Sequence, residues 1–251
     1  MKQRLIFPLL ILFFGLIFTD ARAQFEGTIT MEVVDHAKSD RQPAIISITA
    51  SNQRIYIASS ERVQPVGGLE TDALLIRNDH QDFIFRTAPN EALKVSKADI
   101  DGLVQMVQRF QGGFSQQEQP PTFDWENRIT ETGNTQTILG YTTSELVLTM
   151  EDGLTASFWI TNSIQIRWGM LIDFWNETGQ SLSETAIPIE LFLNRTSFPL
   201  LVQLFDGSQM VQEVRTMSVD TGPDSSGVLD VAPDTKLLGL TDLMMRMMRQ
   251  R

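Results

Sequence analysis

The chain has 251 residues, a net charge of −11 and no cysteine. That excludes a disulfide framework, a thiolate nucleophile and a Cys-ligated metal. The acidity repels phosphate backbones, so no nucleic acid is expected as a partner; charge of this sign serves solubility.

The first residues read as an export signal. Lys2 and Arg4 precede an apolar core from Leu5 to Phe18, and Ala21-Arg22-Ala23 follows. A charged start, an apolar run and a small-residue cleavage site form a secretory signal peptide. The run is shorter than the roughly 20 apolar residues that a spanning helix needs. The absence of cysteine at the cut rules out a lipoprotein anchor. Cleavage after Ala23 leaves 228 residues and takes the net charge from −11 to −13, because residues 1–23 carry Lys2, Arg4 and Arg22 against Asp20. Residues 24–251 are expected to form one domain, located in the periplasm or secreted.

The mature chain opens on a strand. Phe25, Gly27, Ile29, Met31 and Val33 alternate with polar residues, the pattern of a half-buried antiparallel strand. Residues 44–50 and 54–59 read as the next pair, joined by Ser51-Asn52-Gln53. Residues 63–69 contain Pro65 and Gly67-Gly68 and are predicted to be a loop. Residues 73–77 and 82–86 pair around Asn78-Asp79-His80-Gln81, and residues 92–95 extend that sheet.

The period then changes. Ile100, Leu103, Val104, Val107 and Phe110 place one apolar stripe on a helix with Ser96 as N-cap and Gly112-Gly113 at its end. The Gln-rich stretch 114–121, with Pro120-Pro121, is a linker within the domain. Residues 123–131 resume extended structure, and Gly133-Asn134 is predicted to turn the chain. The clearest signal follows. Leu146, Leu148 and Met150 alternate with Val147 and Thr149 up to Glu151-Asp152-Gly153, and Leu154, Ala156, Phe158 and Ile160 continue the alternation beyond it. This is a β-hairpin.

Trp168, Leu171, Ile172 and Trp175 fall at helical spacing, which predicts a short helix over 167–176. Residues 183–194 hold Pro188 and read as a second short helix or an irregular crossing. Residues 198–205 and 209–219 flank Asp206-Gly207 as a second hairpin. Residues 222–227 form a loop, and 229–232 a short edge strand stopped by Pro233. The final stretch, 239–250, is a helix with Leu240, Leu243, Met244 and Met247 on one face and Arg246, Arg249 and Arg251 toward its end.

Several short motifs recur in one order: Phe25-Glu26-Gly27-Thr28-Ile29 after the signal, Gly140-Tyr141 opening a strand, Phe158-Trp159-Ile160-Thr161, Phe198-Pro199-Leu200, and Val231-Ala232-Pro233. In these the chain resembles the exported DUF4412 proteins, a family of unknown function. More distantly it resembles the LolA/LolB lipoprotein-carrier superfamily. Thr143 and Ser197 stand where the family pattern often has Cys and Gly. The resemblance implies a mainly β (α+β) fold: a strongly curved antiparallel sheet, a LolA-like half-barrel, with two or three helices in its concave side. The count of strands and helices agrees with it.

Chemistry-bearing motifs are sparse. His36 and His80 each sit beside aspartate, in segments read as exposed turns, so no metal or other cofactor is expected. No G-x-S-x-G, P-loop or G-x-G-x-x-G occurs. The acidic pairs Glu151-Asp152 and Glu184 with Glu190 fall in turns or on solvated faces. Trp159, Trp168, Leu171, Ile172 and Trp175 have two readings: packing of a helix on the sheet, or the lining of an apolar pocket between them. The Met-rich tail 243–249 either docks on the barrel or makes a peripheral membrane or partner contact. The expected function is non-enzymatic binding of an apolar or lipid-like ligand in the cell envelope. The alternative is a structural or interaction module with a filled core. N-terminal sequencing of the exported form should begin at Gln24; an intact chain starting at Met1 in the membrane fraction would overturn the cleavage reading.

Overall fold

The computed structural model describes residues 24–37, 42–66, 69–100, 102, 128–150, 153–172, 197–242 and 245. The strands are β1 (Gly27–Asp35), β2 (Ala44–Ala50), β3 (Arg54–Val66), β4 (Leu69–Arg77), β5 (Asp82–Ala88) and β6 (Glu91–Ser96). They continue with β7 (Ile129–Ile138), β8 (Tyr141–Thr149), β9 (Leu154–Thr161), β10 (Phe198–Asp206), β11 (Gln209–Thr221) and β12 (Lys236–Leu238). All twelve join one open, curved sheet in the order β12-β6-β5-β4-β3-β2-β1-β11-β10-β9-β8-β7. The fold is therefore mainly β. Strands β1–β6 and β7–β11 are each a meander of neighbours in sequence, β12 adds beside β6, and the β1–β11 ladder welds the halves together.

Alternation builds one apolar face across this sheet. Cross-strand register aligns Val219, Ile29, Ile48, Ile57, Leu74, Phe85, Leu93 and Leu238 in a row over eight strands. The adjacent row runs Gly27, Ala50, Ile55, Ile76, Phe83 and Val95. These rows are the main core, and a second cluster of Leu146, Leu148, Ala156, Phe158, Val202 and Leu204 extends the same face over β10, β9 and β8. We call this the inner face. Burying such cross-strand pairs is the dominant source of stability in a sheet.

The β8–β9 hairpin forms as its alternation predicts, and so does the β10–β11 hairpin around Gly207. Ser96 caps the helical residues 97–100 in a capping box with aspartate in the third position: its Oγ accepts from the Asp99 N–H at 3.2 Å, and its own N–H donates to Asp99 Oδ2 at 2.8 Å. Residues 170–172, 240–242 and 245 are helical too. The predicted helix over 167–176 thus starts later, after an irregular stretch containing Trp168, and residues 173–176 lie outside the described residues. So do most of the predicted helix after Ser96, the linker 114–121, the crossing 183–194 and residues 246–251 of the tail.

Four expectations are corrected. Residues 63–66 and Leu69 are strand rather than loop: β3 carries Pro65 through to Val66, β4 starts at Leu69, and 67–68 lie outside the described residues. The ladder there is irregular, with only Val63↔Thr71 and Val66↔Leu69 paired, which is how a strand accommodates proline. Gly133-Asn134 does not turn the chain but bulges β7, where the register jumps between Glu131 and Thr135. The turn comes at Leu139-Gly140, both at positive φ (50° and 84°). Leucine is disfavoured there, so Gly140 alone marks the turn in the sequence. The short edge strand is Lys236–Leu238 rather than 229–232, and it runs parallel to β6, so the sheet is mixed and not wholly antiparallel.

Gly27 sits at the weld. A Cβ there would lie 2.1 Å from the Asp220 carbonyl oxygen, and its φ of +147° is open to glycine almost alone. Gly27→Ala should cost roughly 1–3 kcal/mol or more in urea unfolding. An unchanged midpoint would show that this close approach is relaxed in solution.

Candidate functional site

The aromatic segment singled out by spacing lies on the inner face. Residues 164–172 are laid against the start of β1 and the β4–β5 turn. The Phe25 N–H donates to the Gln165 carbonyl at 2.8 Å, and the Arg167 N–H donates to Gln24 Oε1 at 3.1 Å. Gly169 (φ +54°) lets the backbone pass Asn78, whose Oδ1 would be 2.2 Å from any Cβ at that position. The same Oδ1 accepts the Met170 N–H at 2.9 Å. This turn drives Ile164, Trp168 and Met170 into the main core, with Trp168 only 8% exposed, and packs Leu171 and Ile172 against it. Trp159 is elsewhere. It alternates with the buried Phe158 and stands on the outer face, opposite Glu145 and Leu201. The structure therefore unites Trp168, Leu171 and Ile172 and separates Trp159 from them. Trp175 lies outside the described residues.

A cleft of about 250 Å³ lies on the outer face, over β3–β6. These strands are apolar on both faces. Tyr56, Leu75 and Ile84 form an outer row by register, and Ala73 and Ala92 lie beside it. Leu229 and Val231 pack on that surface from the connection after β11. The floor of the cleft is Ala73, Leu75, Ile84 and Ala92, and its far wall is Val228, Val231 and Ala232.

Arg54 latches this wall to the sheet. Its Nη1 donates to the Leu229 carbonyl at 3.1 Å and bonds the Asp230 carboxylate. Its Nε and Nη2 donate to Asp79 Oδ2 at 3.0 and 2.7 Å. The hydrogen bond from Arg54 holds the Asp79 carboxyl below its ordinary 3.8, against partial desolvation. Beyond the wall, the Lys236 N–H donates to the Asn90 carbonyl at 2.9 Å and starts β12 beside β6.

The polar side of the cleft is built from Tyr56 and Arg86. Asp72 accepts the Arg86 Nε at 2.7 Å, and that hydrogen bond keeps the Asp72 carboxyl low, with further help from the nearby Arg62 charge. Desolvation raises the Tyr56 phenol, which stays a neutral donor. Among the described residues, neither the Tyr56 hydroxyl nor the Arg86 Nη atoms have a hydrogen-bond partner.

Two other carboxylates are fully engaged. Asp82, 1% exposed, accepts from Arg77 Nε at 2.7 Å and Nη2 at 2.6 Å, with Lys94 Nζ at 3.3 Å. Glu145 accepts from Thr132, Asn134 and Ser157 at 2.8, 2.8 and 2.7 Å. Desolvation pushes Glu145 upward, but its three hydrogen bonds together hold it below its usual range. It organises the β7 bulge. His80 is exposed in the β4–β5 turn, 3.6 Å from Asp79, and His36 is exposed after β1.

Sequence reasoning did not single out Tyr56, Arg86 or the wall at 228–232. A signal was present: Ile55-Tyr56-Ile57, Leu74-Leu75-Ile76 and Phe83-Ile84-Phe85 are continuous apolar runs, the mark of strands covered on both faces.

No protein-family profile and no curated protein matches the chain. Among solved structures it is similar to PNGF-II in two crystal forms. In the C2 form the identity is 14% and the TM-score 0.41, over 89% of this chain and 32% of that one. In the P21 form they are 13% and 0.40, over 91% and 34%. The chain thus spans about a third of PNGF-II. An uncharacterized conserved protein from Thermus thermophilus is 8% identical, with a TM-score of 0.40, over 85% of this chain and 91% of that one. Likeness this loose carries nothing over to this chain.

The latch sets a pH dependence. Asp79 has a depressed folded value, so its contribution is complete above 3.8 and is lost as pH falls through that lower value. Hydrogen exchange at Asp230 and Lys236 should quicken, beyond its intrinsic pH dependence, below about pH 4. In Arg54→Ala it should already be fast at neutral pH. Equal protection in both proteins would show that the wall is held without the latch.

Proposed function

We propose that the chain is an exported, non-enzymatic protein of the cell envelope that binds an apolar or lipid-like ligand, within the DUF4412 group and distantly akin to the LolA/LolB carriers. In this reading the curved sheet is a half-barrel, and its helices cover the concave side. The observation that carries the binding reading is the outer-face cleft: an apolar floor of Ala73, Leu75, Ile84 and Ala92 under a wall fixed by Arg54. Ligand sites are largely apolar concavities with a few convergent polar groups, and Tyr56 and Arg86 supply these here. Carboxylates that could act as acid or base, Asp82 and Glu145, are spent on structural partners.

Trp168, Leu171 and Ile172 are the second candidate lining, without Trp159, which stands on the opposite face. One observation favours the filled-core alternative for them: Trp168 is buried among Phe25, Ile29 and Leu200. Interiors packed to native density leave no room for a ligand. In this reading the C-terminal helix docks on the sheet through Leu240, which packs on the main core.

Native mass spectrometry of the exported protein, with titration by an apolar fluorescent probe, tests the reading. Ala88, half-buried at the cleft, can be enlarged without disturbing the core. Ala88→Phe should abolish probe binding while the melting temperature holds. Trp168→Ala should lower stability by roughly 3–5 kcal/mol, as for other large buried aromatics, and leave binding unchanged. Probe binding that survives Ala88→Phe but changes in Trp168→Ala would move the site to the inner face. Absence of any binding would favour the structural module.

A further inference from the structure

We propose that the outer-face cleft takes a small carboxylate, its compact apolar body on Ala73, Leu75 and Ile84 and its carboxylate on Arg86 and Tyr56. This rests on the reading of that cleft as a ligand site. Size is the first constraint. At roughly 30 Å³ for each water-sized group, about 250 Å³ holds some eight heavy atoms, with the charged end outside that volume at the half-exposed Arg86. That falls below the span of about 300–1,000 Å³ that suits larger ligands, so a single ring or short branched chain fills it.

The unspent hydrogen-bonding capacity is the second. The Tyr56 hydroxyl is a neutral donor. Arg86 is fixed through Nε by Asp72, which leaves its Nη edge for another acceptor. A guanidinium clamped on one edge is pre-organised to receive a carboxylate on the other. Arg62 adds a second positive charge near Asp72, so that carboxylate does not cancel the local field. The acidic residues lining the cleft each have a partner. Asp230 bonds Arg54, and Glu91 Oε1 accepts the Thr87 hydroxyl at 3.4 Å. The donors left over on the polar side are the Tyr56 hydroxyl and the Arg86 Nη edge. The floor is apolar, so the body of the ligand gains from desolvation while its charge stays at the half-exposed Arg86.

Calorimetric titration of the purified exported protein with three probes of one shape tests this: phenylacetate, 2-phenylethanol and 2-phenylethylammonium. Phenylacetate should bind about tenfold more tightly than the alcohol, the gain expected from a hydrogen bond between charged groups, and the ammonium should bind most weakly. Arg86→Gln should bring phenylacetate down to the alcohol and leave the alcohol unchanged. Tyr56→Phe keeps the ring on the floor and removes the hydroxyl; it should weaken phenylacetate severalfold, and it decides the matter if Arg86→Gln does not fold. Equal binding of acid and alcohol would overturn the carboxylate proposal and leave the apolar site standing. Tightest binding by the ammonium would overturn it in favour of the acidic rim. No binding by any probe, alongside no binding of the apolar fluorescent probe, would remove both readings.

Discussion

The pairing of β1 with β11 is the contact on which the rest of the molecule depends. Without it the sheet falls into two parts, each with two exposed edges and half an apolar face. Glu32 and Arg215, 183 residues apart in sequence, meet across that ladder, with Arg215 Nε donating to Glu32 Oε2 at 2.7 Å. The backbones approach closely at Gly27, and the Gly222 N–H donates to the Glu26 carbonyl at 2.9 Å just beyond the last pair. Such a non-local ladder carries a loop-closure cost that only the joined core returns. The join adds Val219 to the row that runs from Ile29 to Leu238 and so sets both halves in one register.

Once the join is made, the two faces follow different rules. The inner face is one apolar surface, and Trp168 with its neighbours fills part of it under the control of Asn78 and Gly169. The outer face is split. Over β8–β11 it is mostly polar and laced by Glu145, Gln203, Glu213 and Arg215. Over β3–β6 it is apolar and covered by the chain after β11, and the cleft forms where that cover stands off from the small side chains of Ala73 and Ala92. Arg54 makes the cover part of the fold, because one guanidinium bonds a turn aspartate, a loop carbonyl and a loop carboxylate together.

Much of this was legible beforehand. The Leu146 to Ile160 hairpin, the Phe198 to Val219 hairpin and the opening strand follow from strict alternation, because one face of each must be dry. Ser96 was legible as a cap because Asp99 stands three residues on. Other features were hidden by chemistry that gives no local signal. Leu139 at positive φ contradicts its own preference and is held by the β7–β8 ladder. Pro65 sits inside β3 because pairing there is already broken. Trp159 could be placed on its face from alternation, but its separation from Trp168 could not.

Local pattern set most of the strands, the Ser96 cap, the exclusion of cysteine chemistry and the apolar stripe of each hairpin. These are local, set by side-chain period, turn residues and composition. Tertiary structure alone decided which strands are neighbours, that β12 runs parallel to β6, and that the connection after β11 crosses back over β3–β6. It also decided where the cleft lies. Tyr56, Arg86 and Val231 are far apart in the chain, and no periodicity links them. Register across four strands and a latch from Arg54 bring them to one concavity. A site of that kind is a property of packing between segments, which local pattern does not encode.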